Sequence, residues 1–188
     1  MKKILGENFF RRPAPIVARN LLGKFLVRKS GKKNYILVIT ETEAYLGKND
    51  LASHARFGKT KRNAVMFGDG GHWYVYFVYG MHWLLNVVTE NKNNPSAVLI
   101  RSGILLGKNR KIINGPARIT KILKINGRLT GKPVCKKSGL WIEGRGIKAG
   151  LVKKSARIGV KYSGEWSQKP LRFDAPDSFV NEIKNNYN

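Results

Sequence analysis

Two carboxylates at the spacing Glu41-x-Glu43 close an otherwise apolar run, "ILVITETEAYLG" (36–47), and the aromatic hydroxyl of Tyr45 follows at the same interval. In extended backbone, alternate side chains share a face. That face reads Tyr35, Leu37, Ile39, Glu41, Glu43, Tyr45, so the acids continue a line of core residues. A carboxylate in such surroundings must be paired, hydrogen-bonded or protonated. One reading is a structural ion pair with one of the chain's many cations. The other is a general base or charge stabiliser whose proton affinity is tuned by burial. Spacing alone does not choose between them. Arg101, at the end of a second apolar run "AVLIR" (97–101), is a natural partner for either acid.

A second concentration of chemistry is aromatic. Trp73, Tyr74, Tyr76, Phe77, Tyr79 and Trp83 fall within "WYVYFVYGMHW" (73–83). Alternation puts Tyr74 and Tyr76 on one face and Trp73, Phe77 and Tyr79 on the other. One face can pack while the other stacks on bases or wedges into a duplex. The competing reading is a sheet edge with aromatic cross-strand pairs. Tyr79 sits at the turn, where burial is hardest, and packing explains it least. Asn86 interrupts "WLLNVV", where an amide needs partners, as a structural bridge or as a selectivity group. His54 is a lone histidine in a loop.

The elements that must hold these residues follow from local signals. Residues 8–29 read as a helix after a broken start, with Pro13 and Pro15 near its beginning. Ile16, Leu21 and Leu22 give it an apolar side, Gly23 stops it, and a strand begins at Phe25. A basic turn, "KSGKKN", leads into the acid-bearing strand. Residues 48–72 are irregular and carry Lys48, Arg56, Lys59, Lys61 and Arg62, which suit either phosphate contact or a solvated loop. Two β-rich runs flank Gly80-Met81-His82 and predict a hairpin. Val98–Ser102 reads as a short strand. "NGPARITKILKINGR" reads as a helix opened by Pro116, with Ile119, Ile122 and Leu123 on one face and Asn126-Gly127 at its end. Further short strands are expected at "GLWIEG", "ARIGV" and "LRF". Irregular strand spacing with few intervening helices points to a mixed, mainly antiparallel α+β domain spanning residues 1–188.

Composition narrows the function classes. The 188 residues hold 36 Lys and Arg against 11 Asp and Glu, a formal charge of +25. Such a field attracts polyanions, nucleic acid above all, although adaptation to a basic proteome would also produce it. One cysteine, Cys135, excludes an internal disulfide and fits a reducing, intracellular setting. Three histidines and no cysteine pair disfavour a zinc site or a cysteine-held iron–sulfur cluster. The start, "MKKILGENFF", does not read as a signal peptide, and no uninterrupted run suggests a membrane span.

Several stretches together resemble the alkyladenine (3-methyladenine, or methylpurine) DNA glycosylase family. They are "TETEAYLG", "SHARFGKTKRN" with "MF", "YVYFVYGMHWLLNVV", "VLIR", "NGPARITKILKIN" and "ARIGVKYSGEWSQKPLRF", in order, from about residue 5 to 173. The resemblance implies a single compact α+β domain around a curved antiparallel sheet, with a protruding β-hairpin and peripheral helices. It implies excision of alkylated or deaminated purines by hydrolysis of the N-glycosidic bond, without metal or other cofactor. The class of substrate would include 3-methyladenine, 7-methylguanine, hypoxanthine and ethenoadenine. The partner would be double-stranded DNA carrying a damaged purine, met by a monomer inside the cell, close to the nucleoid in a prokaryote.

Carried over residue by residue, Glu43 matches the general base, Arg101 the arginine that helps hold the water, and the backbone carbonyl of Ile158 its third anchor. Tyr45 and Tyr76, with His54 beside them, match the groups that sandwich the flipped base. Tyr79 matches the side chain that fills the gap in the duplex, and Asn86 the asparagine that crowds the amino group of normal guanine. Glu41 keeps a structural reading. The sequence departs from the family after Arg101, where a short basic link, "RSGILLGKNRKIING", replaces a longer insertion, and the longer N-terminal arm of many members is not expected here. A non-catalytic nucleic-acid module on the same fold, or a lyase working through a lysine Schiff base, are the alternatives.

Overall fold

The computed structural model describes residues 2–186, so Met1, Tyr187 and Asn188 lie outside the described residues. After a two-residue strand β1 (Lys3–Ile4) come two short helices, α1 (Glu7–Phe10) and α2 (Ala14–Leu21). Pro13 caps α2 and Pro15 lies in its first turn, where a missing N–H costs nothing. The buried stripe of α2 is Ala14, Val17, Ala18 and Leu21, spaced three and four apart. Ile16, expected on that stripe, is 47% exposed. The helix stops at Leu21, and Gly23 turns the chain into β2 (Phe25–Ser30). β3 (Lys33–Tyr45) pairs back on β2, and Thr42 Oγ1 donates to the Ala18 carbonyl at 2.9 Å, locking helix to strand.

Residues 46–72 are irregular apart from 3₁₀ turns at His54–Phe57 and Ala64–Phe67. The hairpin of β4 (Trp73–Val78) and β5 (His82–Thr89) follows, as the aromatic runs predict. β6 (Ser96–Leu106) is longer than the expected 98–102 strand. β7 (Lys111–Asn114) folds back on it, so the basic link is itself a hairpin. Its "GILL" continues β6 because those residues pair with the start of β3. α3 (Pro116–Ile122) packs against this sheet and ends where Lys124 turns left-handed. β8 (Leu140–Gly144), β9 (Lys153–Ser155), β10 (Arg172–Asp174) and α4 (Asp177–Asn186) complete the fold.

The expected strand at "ARIGV" does not form. There the Arg157 side chain is buried against Asp50, the Ile158 amide donates to a carboxylate rather than to a neighbouring strand, and Gly159 is left-handed. The strands form one curled antiparallel sheet, a half-barrel, with the main path β1-β8-β2-β3-β6-β5-β4. The main core lies between this sheet and α2, α3 and α4, and a smaller cluster (Ala55, Met66, Phe67, Tyr74, Val88, Ala97) supports the 54–67 loop.

β3 and β6 meet at the centre, and the register slips around Glu41↔Ser102, leaving Thr40 and Arg101 without ladder partners. Just before the slip, Gly103 lets β6 approach β3 so closely that a Cβ there would clash with the Leu37 side chain and lie 2.6 Å from the Val38 carbonyl. Gly103→Ala is expected to lower stability by about 1–3 kcal/mol, or roughly 3–10 °C in Tm. A thermal melt matching the unsubstituted protein would show that the strands part at no cost.

Candidate active site

The paired bulges at Thr40 and Arg101 free the arginine from the ladder and re-aim it, which is what β-bulges do beside functional sites. Arg101 reaches both acids of β3: Nε lies 3.0 Å from Glu41 Oε1 and Nη1 lies 3.4 Å from Glu43 Oε1. The two acids then diverge. Glu41 also accepts from Arg172 Nη1 at 3.2 Å and from Ser102 Oγ, which makes it a structural anchor. Glu43 is 0% exposed and accepts the Ile158 N–H on Oε1 and the Tyr45 hydroxyl on Oε2, each at 2.8 Å. Burial pushes its carboxyl above the ordinary 4.5, against Arg101, the Ile158 amide and the Tyr45 hydroxyl. All these partners are donors, which suits the ionised form.

In front of Glu43 opens a cleft of about 370 Å³, within the usual range for a small-molecule site. Tyr45, His54, Tyr76, Asn86, Arg101 and Ile158 line it, with Tyr79 at its rim. Every expected site residue except Glu43 is thus on the lining, and Glu43 lies directly behind through Tyr45 and Ile158. The His54 and Tyr76 rings meet edge to face with centroids 4.5 Å apart. His54 Nδ1 is 2.8 Å from the Tyr74 hydroxyl. Burial, with Arg62 and Arg56 nearby, drops the His54 pKa to about 4, so the ring is neutral at pH 7. Burial also pushes the Tyr74 hydroxyl up to about 12 and holds those of Tyr45 and Tyr76 above their usual value. The aromatic groups of the wall are therefore uncharged, and the charges on the lining are those of Arg101 and Arg62.

Asn86 is buried and donates through Nδ2 to the Tyr74 carbonyl at 3.2 Å. Ile158 reaches Glu43 through its amide, whereas the resemblance assigns its carbonyl. Tyr79 sits at the hairpin tip, 85% exposed and at φ 52°. A bulky residue in the left-handed region is uncommon and costs of order 1 kcal/mol. The hairpin beneath it is stiff: Trp73 is buried with its Nε1–H on the Leu140 carbonyl at 3.0 Å, and Thr130 Oγ1 bonds both the N–H and C=O of Val75. Phe77 and Trp83 meet across the strands with tilted rings, centroids 4.7 Å apart.

Sequence reasoning missed the residues that hold the loops. Asn63 is buried and ties the 54–63 loop together, donating to the His54 and Gly58 carbonyls at 2.9 Å each and accepting the Thr60 N–H at 2.7 Å. Asp50 and Arg157 form a fully buried ion pair. The signal used for Arg101, a cation inside an apolar run, is present at Arg157 in "ARIGV" too. Among the described residues, no three of His, Cys, Asp and Glu converge as a metal-binding group, and no helix is long and apolar enough to cross a membrane.

A model of the methylpurine-DNA glycosylase family matches residues 8–178. A protein from Methanocella arvoryzae is 42% identical over 184 residues, covering 90% of this chain and 91% of its own. One from Legionella pneumophila (strain Paris) is 39% identical over 178 residues, covering 95% and 97%. One from Borrelia garinii is 51% identical over 127 residues, covering 65% and 68%. All three bear the name "Putative 3-methyladenine DNA glycosylase". With the match running over most of its length, the chain belongs to the methylpurine-DNA glycosylase family.

Proposed function

We propose that the protein is a DNA glycosylase that removes methylated purines, 3-methyladenine first, by hydrolysing the N-glycosidic bond with a water activated by Glu43. 7-Methylguanine, hypoxanthine and ethenoadenine fall in the same proposed range. The observation that carries this reading is Glu43 itself, a buried carboxylate held by three donors directly behind the lining of an aromatic cleft. Mere DNA binding does not require Glu43 and Arg101 beside a preformed pocket.

A purine inside a duplex is out of reach of such a cleft and must be extruded, at a cost of a few kcal/mol. Tyr79, exposed on a stiff hairpin, enters the gap and restacks the neighbours, offsetting part of that cost. The extruded base lies among Tyr45, Tyr76 and neutral His54, and Asn86 limits what its edge can carry. Water oxygen then bonds to C1′ while the C1′–N bond breaks and its electron pair leaves with the base. The water proton passes to Glu43, whose negative charge also stabilises the positive charge developing on the sugar. Purines methylated at N3 or N7 are cationic in DNA and leave as neutral molecules, so they need no acid, whereas neutral hypoxanthine and ethenoadenine leave with the bonding pair as anions that take a proton from solvent. Arg101, shared with Glu41, fixes the Glu43 carboxylate and helps hold the water. The +25 field gathers phosphates and brings the protein, as a monomer, to double-stranded DNA within the cell.

Duplexes bearing each of the four lesions, incubated with the protein and then treated with alkali, should break at the lesion for at least one. Glu43→Gln should slow single-turnover release by about 10²-fold or more while lesion binding persists. An intact strand with all four, or near-normal release by the variant, would contradict the assignment. Tyr79→Ala should lower the single-turnover rate and weaken lesion binding by about 1–3 kcal/mol, the size of one lost base-stacking contact. An unchanged rate would remove the wedge role.

A further inference from the structure

Behind Tyr45 lies a charge pair that the chemistry above does not use. Arg157 and Asp50 have side chains 0% exposed. The guanidinium forks onto the carboxylate, Nη1 to Oδ2 at 2.5 Å and Nη2 to Oδ1 at 2.8 Å. It also donates to the Ala44 carbonyl at 2.9 Å and the Trp166 carbonyl at 3.3 Å. Asp50 accepts the Leu46 N–H at 2.9 Å and the Ala52 N–H at 3.0 Å. One pair therefore fastens the end of β3, the 46–53 loop and the 156–160 segment, and Ile158, next in sequence to Arg157, is the residue that donates to Glu43.

The guanidinium carbon lies 4.6 Å from the centroid of the Tyr45 ring, on its buried side, while Tyr45 lines the cleft. A full charge is thus held against the very ring that a base would stack upon. Arg157 Nε has no hydrogen-bond partner among the described residues, a cost of about 1–3 kcal/mol that a purely structural brace would avoid. A bare cation there would draw density from the ring and repel a cationic purine on its other face. Asp50 cancels it. We propose that the Asp50–Arg157 pair is a specificity-determining positioning element, whose neutrality lets the Tyr45 wall accept positively charged purines alongside neutral ones. The proposal rests on the glycosylase reading of the same cleft.

The test compares single-turnover release of 7-methylguanine, cationic in DNA, with that of hypoxanthine, neutral, or the affinities for the same two duplexes if the second turns over too slowly to time. Asp50→Asn, Arg157→Met and the double variant are measured at fixed pH and salt, each with a thermal melt. Asp50→Asn leaves the cation and should lower the cationic-to-neutral ratio about fivefold, the scale of a charge–charge term across one stacked ring. Arg157→Met leaves the anion and should raise the ratio. The double variant should return it to within about twofold of the unsubstituted protein, even if both absolute values fall. Should Asp50→Asn fail to fold, the opposite shift in Arg157→Met and its reversal in the double variant still decide the matter. Both lesions slowed equally in every folded variant would make the pair a brace only and overturn the proposal. Unsubstituted protein that neither releases nor selectively binds either lesion would overturn the glycosylase reading itself.

Discussion

The fold is organised around surrounding one buried carboxylate, Glu43, with hydrogen-bond donors. Removing an unpaired ion from solvent costs several kcal/mol even after relaxation, whereas each hydrogen bond to a charged group returns about 1.5–3 kcal/mol. Glu43 is therefore held by donors from three places: Tyr45 on its own strand, Arg101 on the adjacent strand and the Ile158 amide from a segment 115 residues away. Each donor needs its own support. The double bulge frees Arg101, Glu41 shares that arginine and also binds Arg172, and Asp50 seats Arg157 so that Ile158 arrives amide first.

The other buried acids follow the same rule. Glu41, Glu43, Asp50 and Glu143 are all buried, and each meets an arginine, through Arg101 and Arg172, Arg101, Arg157 and Arg145 respectively. Arginine suits these sites because its planar fork stays charged and satisfies two oxygens at once. These four acids serve as pins inside the molecule, while the other seven of the eleven lie partly or fully exposed among a large excess of surface cations. In the proposed reaction, long-range attraction to phosphate and local stabilisation of a cationic centre come from separate sets of charges.

Much of this was legible locally. The acid-bearing strand, the aromatic hairpin and the Pro116 helix follow from periodicity and turn residues, and alternation put Glu41 and Glu43 on one face, as their common contact with Arg101 shows. Alternation did not separate their roles, because that depends on Arg172, Ser102 and Ile158, all distant in sequence. The resemblance named the cleft residues, and the structure brings them together. The "ARIGV" segment misled as a strand because the partner of its buried arginine, Asp50, lies 107 residues earlier in an unremarkable loop. The rotated face of α2 and the extra hairpin after Arg101 were likewise set by packing against the sheet rather than by local pattern.

The central claim is that Glu43 is ionised at neutral pH yet desolvated enough to be a better base than a surface glutamate. A carbon-13 NMR titration of its side-chain carboxyl in the DNA-free protein, assigned by Glu43→Gln, tests this directly. The account predicts a carboxylate at pH 7 whose midpoint lies above the ordinary 4.5, because burial outweighs Arg101 and the two hydrogen bonds. A midpoint at or below 4.5, or a carboxyl still protonated at pH 7, would contradict it.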